Sequence, residues 1–283
     1  MNHPREKDIG PLIALLEDND QKILDTIVEH IVNIGTTAVP HLKRATITNP
    51  ALGPRIESVV EEIRINELEK AFLLLPKHGD TMHGLEVGSF LITKLVYPNI
   101  NVQTYSDKID EMAKEAREKI ARYTSNNDIL NAFNHYFFID QGFHGNTLQY
   151  NEVDNSFLHR IIDRRKGIPI SLSVLYMLLG SRLDLPLHGV GAPGHFLVKF
   201  DARDYRIFID CFAGGKLLTD KECARFLIRN GYGFKSSYLH RSPVQDIVTR
   251  MIKNLISLYQ ANNQPARVVQ LRRFINLVQH HTV

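Results

Sequence analysis

Between Ser171 and Leu183 the chain runs with almost no polar break: Leu172, Val174, Leu175, Tyr176, Met177, Leu178 and Leu179 are separated only by Ser173 and followed by Gly180, Ser181 and Arg182. A helix that is apolar on most faces is stable in water only at the centre of a domain, so other elements must surround this one. Gly167-Ile168-Pro169-Ile170 leads into it, and Ser171 or Ser173 can cap it. Leu185-Pro186-Leu187 ends it, because the residue before a proline disfavours the helical conformation. The apolar period then shortens. Residues 188–190, 196–200 and 206–210 are β-rich runs, punctuated by Gly191, Pro193-Gly194 and Asp201-Ala202-Arg203-Asp204 as in an antiparallel sheet. A buried helix followed by short antiparallel strands predicts an α+β fold that is mainly helical, with one small antiparallel sheet.

The flanks are helical. Pro11 suits a first helical turn, Asp18-Asn19-Asp20 can cap a second helix, and Ile23, Ile27, Ile31 and Ile34 read as its buried stripe before Gly35. Pro11-Leu12 before Asp20 is echoed by Pro40-His41-Leu42 before Asn49-Pro50, which suggests a HEAT-like pair of helical repeats or an ordinary bundle. The stretch 107–123 is a charged helix with Ile109, Met112, Ala113, Ala116 and Ile120 inward, and an aromatic cluster follows at Phe133, Tyr136, Phe137, Phe138, Phe143 and Tyr150. Residues 243–260 and 265–279 form a helical hairpin patterned like a single tetratricopeptide unit. These shifts divide the chain into a helical N-terminal region at 1–100, a core at 101–240 and a hairpin at 241–283.

Charge is distributed unevenly. Residues 1–150 hold 15 Lys and Arg against 21 Asp and Glu, whereas the remainder holds 19 against 10. A basic half can face an acidic partner or simply complement the other half of the molecule. No aromatic–basic interleaving accompanies it, so nucleic acid is not an expected partner. No apolar run approaches the roughly 20 residues of a membrane span, and the polar start lacks the apolar core of a secretory signal. Two cysteines, Cys211 and Cys223, are too few for a disulfide framework. The expectation is a reduced, cytoplasmic protein without a cofactor.

The order of three features points to chemistry of the papain kind. Such a site needs a nucleophile at the start of a buried helix, where the helix dipole lowers a thiol pKa. It also needs a histidine on a neighbouring strand to take the proton, and an Asp or Asn on the next strand to orient the imidazole. Here the helix start, His195 and Asp210 occur in that order, and two adjacent antiparallel strands would bring His195 and Asp210 together. Ser171 is the hydroxyl nearest the helix start, and its position is also explained by capping alone. His188, His195 and Asp210 could in principle hold zinc, but nothing in their spacing requires it, and no metal site is assigned. The basic run at Arg160, Arg164, Arg165 and Lys166 could meet an anion or be a solvated helix end.

The runs Arg164-Arg165-Lys166-Gly167-Ile168-Pro169-Ile170-Ser171-Leu172, Leu183-Asp184-Leu185-Pro186-Leu187, Gly189-Val190-Gly191-Ala192-Pro193-Gly194-His195-Phe196-Leu197-Val198 and Ile209-Asp210-Cys211-Phe212-Ala213-Gly214-Gly215 resemble the transglutaminase-like superfamily. The likeness is greatest to its bacterial core 2 branch, often described as invasion-regulator-like, and covers about residues 130–280. The resemblance implies a papain/transglutaminase-like core with a helical N-terminal part and a tetratricopeptide-like tail. Matching the helix by its Leu-x-Leu-Pro exit sets Pro169 where active relatives carry cysteine, with His195 and Asp210 at the histidine and aspartate. Pro169, Gly194, Arg165 and Asn134 are then expected to line the cleft. The implied function is a catalytically silent protein that binds or regulates a protein partner. The alternative is a hydrolase or acyl transferase using Ser171, His195 and Asp210.

Overall fold

A computed structural model describes residues 9–279, and the chain divides into two compact units, 1–72 and 73–283. The first unit is helical: α1 (Ile9–Ala14), α2 (Gln21–Ile34), α3 (Val39–Thr48) and α4 (Gly53–Leu74). Its core gathers Ile13, Leu16, Ile27, Ile31, Leu42, Ile56, Val59 and Ile63. Asp20 caps α2, its carboxylate accepting from the Lys22 N–H at 2.9 Å. The buried stripe of α2 is Leu24, Ile27 and Ile31 rather than the set beginning at Ile23, which points to solvent. Spacings of three and four residues keep Leu24 over Ile27 and Ile31 on a 3.6-residue helix, whereas Ile23 is rotated off that line.

The second unit is built around one helix. In chain order it contains α5 (Met82–Val96), α6 (Val102–Ile120), α7 (Asn126–Asn134), β1 (His144–Gly145), α8 (Leu158–Arg164), β2 (Lys166–Gly167) and α9 (Pro169–Ser181). The meander β3 (Leu187–Val190), β4 (Leu197–Asp201), β5 (Arg206–Asp210) and β6 (Lys216–Leu218) follows, then α10 (Asp220–Arg229), α11 (Val244–Ala261) and α12 (Pro265–Gln279). Every residue of α9 from Ile170 to Gly180 is buried. Helices α5, α6, α8 and α11 and strands β3 and β4 pack on it, so it fills the central place that its composition demands. Each of its large apolar side chains stabilises the fold by about 1.5–3 kcal/mol relative to exposure. The result is a mainly helical α+β fold with small sheets.

The four longer strands form one antiparallel sheet in sequential order, with Val198 opposite Ile209 and Phe200 opposite Ile207. β1 and β2 make a short parallel pair that ties residue 144 to the entrance of α9. Between α7 and β1 the backbone widens into a π-helical turn, His135–Asp140. That turn brings Tyr136, Phe137 and Phe138 inward together, and Phe137 stacks on Phe143 at 4.4 Å and meets Tyr176 edge-on at 5.1 Å. The aromatic cluster is therefore core, except for Tyr150, which is largely exposed and contacts Phe212.

Candidate functional site

The entrance of α9 is closed by hydrogen bonds. Pro169 stands at the first helical position, where its missing N–H costs nothing. Ser171 is fully buried and lies two residues inside the helix, so it is not the N-cap residue. Its Oγ accepts from the Ile168 N–H at 3.1 Å and lies 2.6 Å from the Asn155 carbonyl and 3.1 Å from the Ile168 carbonyl. Those three partners account for the hydroxyl, and His195 is not among them. Asn155 is itself held by Asn146 at 2.9 Å and by the Gln149 carbonyl at 2.7 Å. Ser171 thus fastens the turn before α9 to the 146–155 loop.

His195 and Asp210 do meet. Val198 and Ile209 are the last paired positions of β4 and β5 at this end; Asp210 follows Ile209, and His195 precedes Val198 on a turn in which its N–H bonds the Ala192 carbonyl at 3.1 Å. Gly194 permits this turn by adopting φ +70°. A Cβ on Gly194 would lie 2.5 Å from the Tyr232 hydroxyl, so Tyr232 rests on this loop. His195 Nε2 approaches Asp210 Oδ2 at 2.8 Å, and the two side chains are only 13% and 15% exposed. Burial works to raise the Asp210 pKa. The hydrogen bond and charge of His195, with the N–H groups of Ala213 and Phe212, outweigh it and hold the carboxyl below its ordinary value. An ionised Asp210 only accepts, so the shared proton sits on Nε2.

Each partner has its own support. Asp210 Oδ1 accepts from Phe212 N–H at 3.1 Å and Ala213 N–H at 3.0 Å, and the Asp210 carbonyl accepts from Gly215 N–H at 2.9 Å. Asn134 lies behind this turn. It donates to the Gly215 carbonyl at 3.1 Å and accepts from the Tyr176 hydroxyl at 2.7 Å, linking the turn to α9. The His195 loop is gripped by Arg250 of α11, whose guanidinium donates to the Ala192 carbonyl at 3.1 Å and the His195 carbonyl at 2.8 Å and lies over Phe196. Sequence reasoning missed Arg250. Its only signal is a cation among the mostly buried positions of α11.

The remaining expected residues occupy other places. Arg165, in the left-handed conformation that ends α8, lies over the Phe143 ring and meets the Met112 sulfur at 3.5 Å. A groove of about 700 Å³ opens beside Asp210, walled by Ala213, β6 and the outer face of α10; Pro169, Gly194, Arg165 and Asn134 do not line it. The Phe226 ring of α10 stands 5.6 Å from the His195 ring. Cys211 is fully buried and its thiol is raised well above the usual range, first by burial, against an opposing hydrogen bond from Ser173 and with a smaller addition from the Asp210 charge.

Comparison with known proteins gives this geometry a context. The family described as the transglutaminase-like superfamily matches residues 103–253, from the start of α6 to just beyond Arg250. The chain is 31% identical over 198 residues to a UPF0162 protein of Xylella fastidiosa strain 9a5c, an alignment covering 67% of this chain and 70% of that protein. It is 34% identical over 128 residues to a UPF0162 protein of Pseudomonas aeruginosa, covering 44% and 46% of the two chains. To F-box only protein 21 of Homo sapiens it is 37% identical over 139 residues, covering 46% of this chain and 22% of that one. No solved structure matches. A buried central helix, a meander that pairs histidine with aspartate, and a family match across both agree: this chain belongs to the transglutaminase-like superfamily.

Proposed function

We propose that the protein is a catalytically silent member of its superfamily, and that the surface around the retained histidine–aspartate pair serves protein binding or regulation. One observation carries this reading: the pair has no nucleophile to activate. Pro169 occupies the helix start where a thiol is needed, and a proline has no group to deprotonate. The Ser171 hydroxyl is buried and held by Ile168 and Asn155, whereas an activated serine must present its oxygen to both base and substrate. Cys211 is buried, with its thiol pKa raised, the opposite of what makes a cysteine reactive. A hydrogen-bonded pair this well supported, yet without its third member, holds a loop and a surface in shape. In F-box only protein 21 the similar stretch is 22% of a much longer chain, as expected of a module that works beside other segments.

The test is chemical. The protein is incubated with a fluorophosphonate probe and with iodoacetamide, and adducts are mapped by mass spectrometry. No adduct at Ser171 is expected, and both cysteines should stay unmodified until unfolding. Stoichiometric labelling of Ser171 that disappears in His195→Ala would instead establish a hydrolase or acyl transferase using Ser171, His195 and Asp210.

A further inference from the structure

We propose that the groove beside the histidine–aspartate pair docks an acidic, apolar segment of a partner protein. This rests on the protein-binding reading above and adds to it a surface and a partner chemistry. Helix α10 turns Cys223 and Leu227 inward, and a surface helix ordinarily shows water a polar outer face. Here the outer face carries Phe226, 40% exposed, and Ile228, 60% exposed, which together with Leu218 of β6 give the groove an apolar wall. Tyr232, 47% exposed, continues the apolar surface onto the His195 loop. Clustered exposed side chains of this size beside a concavity mark contact surfaces rather than ordinary solvent-facing positions.

The rim determines the sign of the partner. Lys216, Arg225 and Arg229 border the same groove, and among the described residues none of them stands in an ion pair. On α10, Lys221, Arg225 and Arg229 follow one another at intervals of four, so like charges lie next to one another on the helix surface, an arrangement that costs stability in the isolated protein. Glu222 also lines the groove; its carboxylate accepts from the N–H and hydroxyl of Thr219, both at 2.8 Å, and interacts with the charges of Arg225 and Lys216 without forming an ion pair with either. The groove lining sets three cations, Lys216, Arg225 and Arg229, against two carboxylates, Asp210 and Glu222, which leaves a basic excess. Carboxylates from outside would relieve the repulsion and steer the encounter. The apolar wall favours Leu or Phe side chains between those carboxylates. With Asp210 and Glu222 in the same lining, the partner's carboxylates must lie against Lys216, Arg225 and Arg229, with its apolar side chains towards Leu218, Phe226 and Ile228.

Panning the full-length protein against a phage library of random peptides of about 12 residues tests this. Enriched sequences should combine two or more acidic residues with Leu, Ile or Phe. Synthetic, fluorescein-labelled copies should bind with an affinity that drops at least about tenfold in Arg225→Glu/Arg229→Glu and in Ile228→Asp, and that weakens with added salt. Both variants alter solvent-facing positions, and unchanged thermal melting checks that they fold; should the double reversal melt early, Arg225→Gln supplies the charge arm. Failure to enrich, enrichment without acidic residues, or full affinity in both variants overturns the proposal. In that last case peptides bind elsewhere, and the broader protein-binding reading stands. Labelling of Ser171 would remove that reading without touching these affinities. If a fluorescein-labelled single-stranded DNA binds instead and is lost in Arg225→Glu/Arg229→Glu, the surface belongs to nucleic acid and the proposal is likewise overturned.

Discussion

Arg250 gives the most direct handle on how the His195 loop is held. Its guanidinium donates to two carbonyls of that loop, at 3.1 and 2.8 Å, and lies 5.5 Å from the centre of the Phe196 ring. Burial pushes its pKa down, but an arginine remains charged throughout the accessible pH range. In Arg250→Met the stem packing survives while both charge-assisted bonds are lost, each worth about 1.5–3 kcal/mol. The cation–ring contact, about 0.5–2 kcal/mol, is lost as well. Removing a partly buried charge refunds some desolvation, so the net cost should fall near 2–4 kcal/mol. Urea unfolding should show this as a lower midpoint at unchanged slope. Both bonds leave one nitrogen, Nη2; Arg250→Lys keeps the charge, but its shorter stem and lack of a planar face over Phe196 mean that it should recover less than half of the loss. Amide exchange separates local from global effects: the His195 N–H, bonded to the Ala192 carbonyl, should exchange faster in Arg250→Met even well below the unfolding transition. A variant within about 0.5 kcal/mol of the parent, with His195 exchange unchanged, would show that the loop holds itself and that the clamp is incidental.

Three further outcomes follow from the geometry. Pro169→Cys restores a thiol at a half-buried helix start, and iodoacetamide should modify it well before Cys211 or Cys223, which are buried; if His195 faces that position, His195→Ala shifts the pH dependence of the alkylation, and an identical profile refutes the correspondence with active relatives. His159 is buried among Tyr97, Tyr105 and Phe157 with its pKa lowered to about 4, first by burial and then by Arg160. Its folded pKa lies below the unfolded value of 6.5, so the unfolded chain takes up the proton first; its share of stability is present above about pH 6.5 and is lost as pH falls towards 4. His159→Phe should flatten unfolding free energy across that window by on the order of 3 kcal/mol, and an unchanged slope counts against the assignment. Gly145→Ala would drive a Cβ to 2.5 Å from the Phe212 carbonyl, displacing the turn that presents two N–H donors to Asp210; a loss of about 1–3 kcal/mol by urea unfolding is expected, and a neutral variant argues that this turn yields freely.

The central helix and the histidine–aspartate pair could be read from the chain because each follows from short-range pattern. Unbroken apolarity requires burial of α9, and one tight hairpin between β4 and β5 leaves His195 and Asp210 at neighbouring ends. What could not be read depends on contacts distant in sequence or on rotations finer than periodicity resolves. Arg250 lies 55 residues from the loop it holds, and an arginine within a helix looks the same whether it meets water or a carbonyl. The contacts of Asn134 with Gly215 and Tyr176, and of Arg165 with Phe143 and Met112, likewise join residues far apart in sequence. Ser171 was legible as a residue of the helix start, but its partner Asn155 becomes visible only once the 146–155 loop is folded against α9. The outward face of α10 escaped notice because Phe226 and Ile228 look like core residues in any linear pattern.

Helix α11 belongs to two structures at once. Along its length it is the first arm of the C-terminal hairpin, with α12 as the second, yet one of its side chains reaches into the loop that carries His195. Cutting the chain before Val244 removes more than a tail. Such a fragment would retain both His195 and Asp210 and lose the guanidinium that gives one of them its place.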